Sequence, residues 1–215
     1  MQFPDMSHPV VQNFSYILLL SFIPIILVSL TSFTRYVIVL SLMRTALGLQ
    51  QTPPNIVIIA LAFFMSLFSM SPLLVEIQTG PYENFQTGKY DYNTFISESY
   101  ASVKSFIVSK TDYSDYEFVA SLGSNPLFAK QNLDDDVEFI VLAPAFMLTE
   151  LKAAFQFAFV IFIPFVLIDL VVASILMALG MIMLPPVSIS LPVKLLVFIL
   201  VDGWTLLIGG LVSSF

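Results

Sequence analysis

Residues 142–204 read LAPAFMLTELKAAFQFAFVIFIPFVLIDLVVASILMALGMIMLPPVSISLPVKLLVFILVDGW, two apolar stretches separated by the Pro185-Pro186 pair. The apolar character covers about residues 139–179 before the pair and 191–211 after it. Roughly 20 apolar residues in a helix are enough to cross a bilayer, and both stretches reach that length. The first is too long for one straight span and holds internal prolines, so we expect a kinked or bent helix. The pattern predicts a helical membrane hairpin with a Pro-Pro tip.

The first part of the chain has the same plan. Apolar residues fill about 14–39 and 56–74, and the polar connection between them contains Pro53-Pro54. The internal Pro24 is expected to kink the first of these runs. The sequence therefore predicts an all-α membrane protein built from two Pro-tipped helical hairpins.

The composition supports this class and excludes several others. Of the 215 residues, 58% are hydrophobic and only 11% are charged, whereas soluble domains carry about 25% charged residues. There is no cysteine and a single histidine, His8, so thiolate or imidazole metal sites and a Ser-His-Asp triad have almost no material. None of the HExxH, GxxxxGK[ST], GxGxxG or GxSxG motifs occurs. We expect no enzyme activity, no cofactor and no metal, and the net charge of −7 makes nucleic acid an unsuitable partner.

The middle of the chain is polar and acidic. Residues 78–138 hold four lysines against ten acids, a formal charge of −6. Ile96, Tyr100, Val103 and Ile107 recur at helical spacing, which predicts a small helical extramembrane domain. The predicted organisation is a polar segment at residues 1–13, a first hairpin at 14–77, this acidic domain at 78–138 and a second hairpin at 139–215.

The basic residues near the first tip predict the orientation. Arg35 and Arg44 flank that tip, and the positive-inside rule assigns it to the cytoplasm. In a bacterium residues 78–138 are then periplasmic, and Lys194 after the second tip agrees. The first residues lack the basic region of a signal peptide, so we expect the apolar run behind them to be a retained membrane helix.

Several charged residues lie in or beside the apolar runs. One charge at the centre of a spanning helix costs about 2.5–3.5 kcal/mol on insertion scales, so a group of them calls for partners or water. We interpret them as inter-helix or inter-subunit ion pairs, which favours an oligomer. A hydrated ion path and snorkelling to the interface are the alternatives. The residues are Arg35, Arg44, Glu150, Lys152, Asp169, Lys194 and Asp202.

The second tip, GMIMLPP, is rich in methionine. Met177, Met181 and Met183 cluster around Gly180, and methionine fits irregular surfaces because it is unbranched and polarizable. Several copies of such a tip around an axis would make a soft constriction that excludes water. The alternative is an ordinary turn with core methionines.

Three stretches carry a resemblance to a known family. Residues 31–55, TSFTRYVIVLSLMRTALGLQQTPPN, the MSP at 70–72 and the 142–204 stretch quoted above resemble the FliP family of the flagellar type III export apparatus. Together they cover most of the chain outside the acidic middle. The related injectisome subunit SctR shares the plan, but the TSFTR and QQTPPN wording is closer to the flagellar branch.

The resemblance implies a function and partners. FliP-like subunits form a pentameric ring, join FliQ- and FliR-like subunits in an export gate with sharply bent hairpins, and work with FlhB- and FlhA-like components. Unfolded flagellar proteins pass through the gate in the inner membrane at the basal body. The methionine-rich loop that closes the family's pore maps onto Met181, Ile182 and Met183, with Gly180, Pro185 and Pro186 as its hinge. Ile182 departs from the methionine that relatives often have there.

Two other classes of function remain open at this stage. A small-solute or ion transporter would use broken helices and charges at the bilayer midplane as a binding site. A purely structural scaffold would need no gate. The first predicts uptake by the purified chain alone, and the second predicts that the methionine tip tolerates replacement.

Overall fold

The computed structural model describes residues 9–123, 138–181 and 183–215. All regular secondary structure in these ranges is helical, as the sequence predicts. The acids Asp134, Asp135 and Asp136 and the predicted gate residue Ile182 lie outside the described ranges. The helices are α1 (Pro9–Leu30), α2 (Phe33–Ala46), α3 (Asn55–Ser69), α4 (Ser71–Ile77), α5 (Glu83–Gln86), α6 (Tyr92–Lys110), α7 (Tyr113–Leu122), α8 (Phe139–Ala178), α9 (Pro186–Leu200) and α10 (Gly203–Ser213), with a π-helical turn at Gln78–Tyr82.

The two hairpin tips begin with the same turn. Gly48 follows α2 and Gly180 follows α8, both in the left-handed conformation with φ of +79° and +73°. In each tip the glycine N–H bonds to a carbonyl three residues back and the next N–H reaches five residues back, which is a Schellman motif. A Pro-Pro pair ends each tip at the same distance from the glycine, where the following helix begins.

The first helical arm bends after Pro24 and not at it. Helix α1 continues through Pro24 to Leu30, and α2 departs at 68° beyond Thr31 and Ser32. The expected site of the kink therefore differs from the observed bend. The Oγ1 of Thr31 donates to the Leu27 carbonyl, and such hydroxyl bonds compete with the helical ladder.

Two more bends divide runs that the sequence predicts as single spans. Helices α3 and α4 meet at 52° around Met70, and α9 and α10 meet at 66°. At the second of these, Asp202 is left-handed with φ of 51°. A Cβ on the following Gly203 would lie 2.2 Å from the Phe198 ring, so only glycine fits beneath that ring. Helix α4 continues through the π-helical turn into α5 without a break. The predicted boundary between the first hairpin and the acidic domain, at residue 78, falls inside this continuous helical segment.

Helix α8 is a single unbroken helix of 40 residues. Pro144 and Pro164 lie inside it without ending it, where a kinked or bent helix is expected from the sequence. It is long and apolar enough to cross a membrane. In the described ranges it is the one helix that meets this test alone, and each of the three bent pairs meets it when counted as one span.

Two apolar cores share α8. The larger core joins α2 and α3 to the later part of α8 and to α9–α10, and it includes Tyr36, Val39, Met43, Ala62, Ala154 and Leu211. The smaller core joins α6 and α7 to the start of α8 through Ile107, Tyr116, Leu142 and Phe146. The polar middle segment is therefore docked on the first turns of α8.

Aspartates begin both helices of this docked segment. Asp91 caps α6 and Asp112 caps α7, each accepting a backbone N–H of the first turn. Two hydrogen bonds from Ser114 hold the pKa of the Asp112 carboxyl below its ordinary value. The bond from the Ser114 hydroxyl has the larger effect, and the bond from its backbone N–H has the smaller one. These caps explain why the polar sequence becomes helical where it does.

Candidate functional site

The methionine tip of the second hairpin exposes apolar side chains. Met183 is 98% exposed and Met181 is 42% exposed. The Schellman motif at Gly180 and the Pro185-Pro186 pair hold the two ends of this short loop. A side chain as large as methionine that stands free of its own chain is available to contact another molecule.

A bidentate ion pair joins α2 to α8. Arg35 Nη2 lies 2.6 Å from Glu150 Oε1, and Arg35 Nε donates to Glu150 Oε2 at 2.9 Å. Both side chains are buried. The remaining guanidinium nitrogen, Nη1, donates to the Ser214 carbonyl at 2.8 Å, and the guanidinium carbon lies 5.3 Å from the centre of the Phe215 ring. The pair thus also fixes the residues that follow α10.

A second ion pair joins three helices near the hairpin tips. Lys194 Nζ on α9 lies 2.5 Å from Asp169 Oδ2 on α8 and donates to the Ala46 carbonyl at the end of α2 at 3.0 Å. Ser190 Oγ donates to the other Asp169 oxygen at 2.6 Å. The charges that look isolated in the sequence are neutralised where the two hairpins meet.

The third ion pair docks α7 onto α8. Lys152 pairs with Asp115, which also accepts from Thr149 Oγ1 at 2.9 Å. Thr149 in turn accepts the backbone N–H of Asp112 at 3.1 Å. The sequence gives Thr149 and Lys152 as one polar stripe, since they are three residues apart on a helix, but it does not reveal their partner Asp115.

Arg44 and Asp202 form no ion pair within the described ranges. Arg44 Nη1 donates to the Pro53 carbonyl at 3.1 Å and to Asn55 Oδ1 at 2.7 Å, which holds the first tip together. Asp202 is exposed at the α9–α10 bend. The other five charged residues singled out from the sequence are paired within one chain. Their charges therefore do not by themselves require a neighbouring subunit, and the oligomer stays a prediction.

Comparison with known protein families shows to which family this chain belongs. In the described ranges all regular secondary structure is helical, and the apolar hairpins are of the kind that membranes accommodate. The chain belongs to the FliP family, whose model matches residues 16–211.

The chain is similar to several proteins named flagellar biosynthetic protein FliP. It is 43% identical to that of Buchnera aphidicola subsp. Baizongia pistaciae, over 95% of this chain and 56% of the relative. It is 44% identical to that of Cereibacter sphaeroides, over 91% and 64%. For Bacillus subtilis the identity is 43%, over 89% and 86%. The chain spans less than two thirds of the length of the first two relatives.

Proposed function

We propose that this chain is a subunit of the flagellar type III export gate and that it helps to form a channel for unfolded flagellar proteins in the bacterial inner membrane. The observation that carries the proposal is the exposed Met181 and Met183 tip on a chain of the FliP family. The relatives' shared name, flagellar biosynthetic protein, favours the flagellar system over an injectisome.

The apolar surface supports assembly with further subunits. Phe64, Phe68, Phe155 and Phe159 are all more than half exposed on the hairpins. Large exposed apolar patches mark contacts with protein or membrane. A closed ring of identical subunits, pentameric by family resemblance, would cover part of this surface, and FliQ-, FliR-, FlhB- and FlhA-like partners would cover more.

The gate mechanism follows from the chemistry of the tip. Copies of residues 181–183 around one axis would form an apolar constriction, and dry apolar constrictions block ions by dewetting. Unbranched methionine side chains can then yield to an extended polypeptide because they adopt many rotamers. The ion pairs between α2, α8 and α9 would keep the hairpins rigid while the tips move.

The transporter alternative has less support. The three bent helix pairs resemble the broken helices of transporters. However, Arg35, Lys152 and Lys194 each already contact a carboxylate of the same chain, so they are not free for a solute or coupling ion. Uptake of a small solute by the purified chain would reverse this preference.

The gate is tested by replacing Met181, Ile182 and Met183 together with glycine in cells that carry the complete export apparatus. We expect the membrane to leak small ions, because the apolar side chains that close the pore are gone. The measurement is the rate of ion efflux from the cells.

The matched control replaces the same three residues with leucine, which keeps apolar bulk at the tip. We expect this variant to retain ions as the unmodified protein does. Normal ion retention by the glycine variant, in complexes that still assemble, would contradict the gate and favour a structural scaffold.

A further inference from the structure

Arg44, at the first hairpin tip, contacts no carboxylate of the residues that the structure describes. Within the described part of α1–α4 and α8–α10, the cations Arg35, Lys152 and Lys194 each contact a carboxylate, and Arg44 does not. Its Nη1 binds two neutral oxygens, of Pro53 and Asn55. The half-buried guanidinium therefore has no acidic partner in the described ranges, and its Nε and Nη2 are available as donors.

This guanidinium faces a small polar pocket. The pocket holds about 350 Å³ and is lined by Arg44, Gln50, Gln51 and Asn55. Three side-chain amides beside one guanidinium, with no carboxylate among them, form a donor-rich site. Such a site suits an anionic oxygen, above all a phosphate, which guanidinium groups bind through two parallel hydrogen bonds.

An apolar groove begins beside the same pocket. Pro53, whose carbonyl accepts from Arg44, also lines a groove of about 260 Å³ that continues along α3. Val57, Ile58 and Leu61 form its α3 side, and Trp204 lines it from α10. A donor-rich pocket therefore stands at the head of a groove that offers almost no polar surface.

We propose that the Arg44 pocket and this groove together bind one phospholipid molecule, with the phosphate against Arg44 and an acyl chain along Val57 and Leu61. A free anion would need no groove, and an apolar helix would leave the guanidinium without its counter-charge. A phospholipid supplies both parts in one molecule. Basic pockets between helices at the cytoplasmic side of membrane proteins bind acidic headgroups by the same chemistry.

The test measures lipid retention by the full chain in detergent. The probes are phosphatidylglycerol, phosphatidylcholine with the same acyl chains, and inorganic phosphate, and bound molecules are counted by native mass spectrometry. Arg44→Gln should weaken phosphatidylglycerol binding about fivefold, the effect of one basic residue at an anionic lipid surface. Val57→Trp should weaken it as well, because the larger side chain fills the groove.

Each variant has a matched control. Lys89→Gln removes one positive charge from an exposed site in the polar segment, and Val75→Trp adds the same bulk to an exposed valine of α4. Both controls should bind phosphatidylglycerol as the unmodified chain does. Unfolding temperatures of all four variants establish that the changes in binding occur in folded protein.

Four results would overturn the proposal. If Arg44→Gln bound phosphatidylglycerol as tightly as the unmodified chain, Arg44 would not contact the headgroup. If Lys89→Gln lost as much affinity as Arg44→Gln, the contribution of Arg44 would be general charge attraction. Displacement of lipid by inorganic phosphate, with Val57→Trp unaffected, would indicate a free-anion site. Loss of self-association in Arg44→Gln, with lipid binding unchanged, would assign the pocket to a carboxylate of a second copy.

Discussion

Arg35 and Glu150 meet between α2 and α8, and all three guanidinium nitrogens of Arg35 are hydrogen-bonded. The two parallel bonds match the planar guanidinium to the carboxylate, and the third nitrogen is satisfied by the Ser214 carbonyl. Buried ions are costly to remove from water, and they are tolerated only when their partners remain in place. We therefore expect the removal of one partner to lower the free energy of unfolding substantially.

The first prediction concerns Glu150→Gln. This change leaves the buried Arg35 charge without its counter-ion, and we expect a loss of about 3–5 kcal/mol in the free energy of unfolding. The measurement is chemical unfolding of the purified chain in detergent, followed by circular dichroism.

Asp202→Asn is the control for that change. It makes the same replacement of an acid by an amide at an exposed residue that forms no ion pair in the described ranges, and asparagine also accepts the left-handed conformation. We expect it to stay within about 0.5 kcal/mol of the unmodified chain. A loss below about 1 kcal/mol for Glu150→Gln would mean that the pair is solvated or replaceable.

At the scale of helices, the α9–α10 bend depends on one close contact. The Phe198 ring lies directly over the backbone of Gly203, where a Cβ would come within 2.2 Å of it. The ring also meets Trp204 edge to face with centroids 5.5 Å apart. The direction of α10 is thus set by an aromatic side chain packed against bare backbone.

The second prediction compares two glycines of α10. Gly203→Ala should lower the free energy of unfolding by about 1–3 kcal/mol, because the ring must move to admit the methyl group. Gly209→Ala should instead raise it by about 0.5–1 kcal/mol, since a Cβ there meets nothing within 4 Å and alanine favours the helix. Unfolding of both variants in detergent measures the difference, and equal effects would contradict the packing argument.

The helices and tips could be predicted from sequence because local signals encode them. Apolar runs mark the helices, and Gly180 followed by Pro185 and Pro186 marks where α8 ends and α9 begins. The bends carry weaker signals. The break after Leu30 follows hydroxyl bonds that compete with the helical ladder, and the one at Asp202 follows the packing of Phe198 on Gly203. Such contacts form only in the folded chain. The apolar pattern of the sequence continues across the bends and does not mark them.

At the scale of the whole chain, the polar middle segment contacts α8 in two places along its length. The apolar contacts of Ile107 and Tyr116 lie against its first turns, and the Asp115 contacts with Thr149 and Lys152 follow further along. The sequence could place charges on α8, but it could not assign Asp115 to Lys152. Those residues are 37 positions apart, and ten acids compete for the role.

The third prediction concerns this docking. Asp115→Asn removes the charge that holds Lys152, and we expect faster amide hydrogen exchange throughout α7, corresponding to about 1–3 kcal/mol of lost local stability. Glu117→Gln makes the equivalent change at an exposed position of the same helix and should leave exchange unaltered. Unchanged exchange in Asp115→Asn would show that the apolar contacts alone hold α7.

The unbroken length of α8 has a mechanical consequence. Forty helical residues extend about 60 Å, twice the roughly 30 Å of a bilayer's hydrocarbon layer. If α8 stands upright in a membrane, it must therefore extend beyond the hydrocarbon layer on at least one side. Because α7 packs against the early turns of α8 and the methionine loop follows its last turn, we expect a change in the tilt of α8 to displace Gly180.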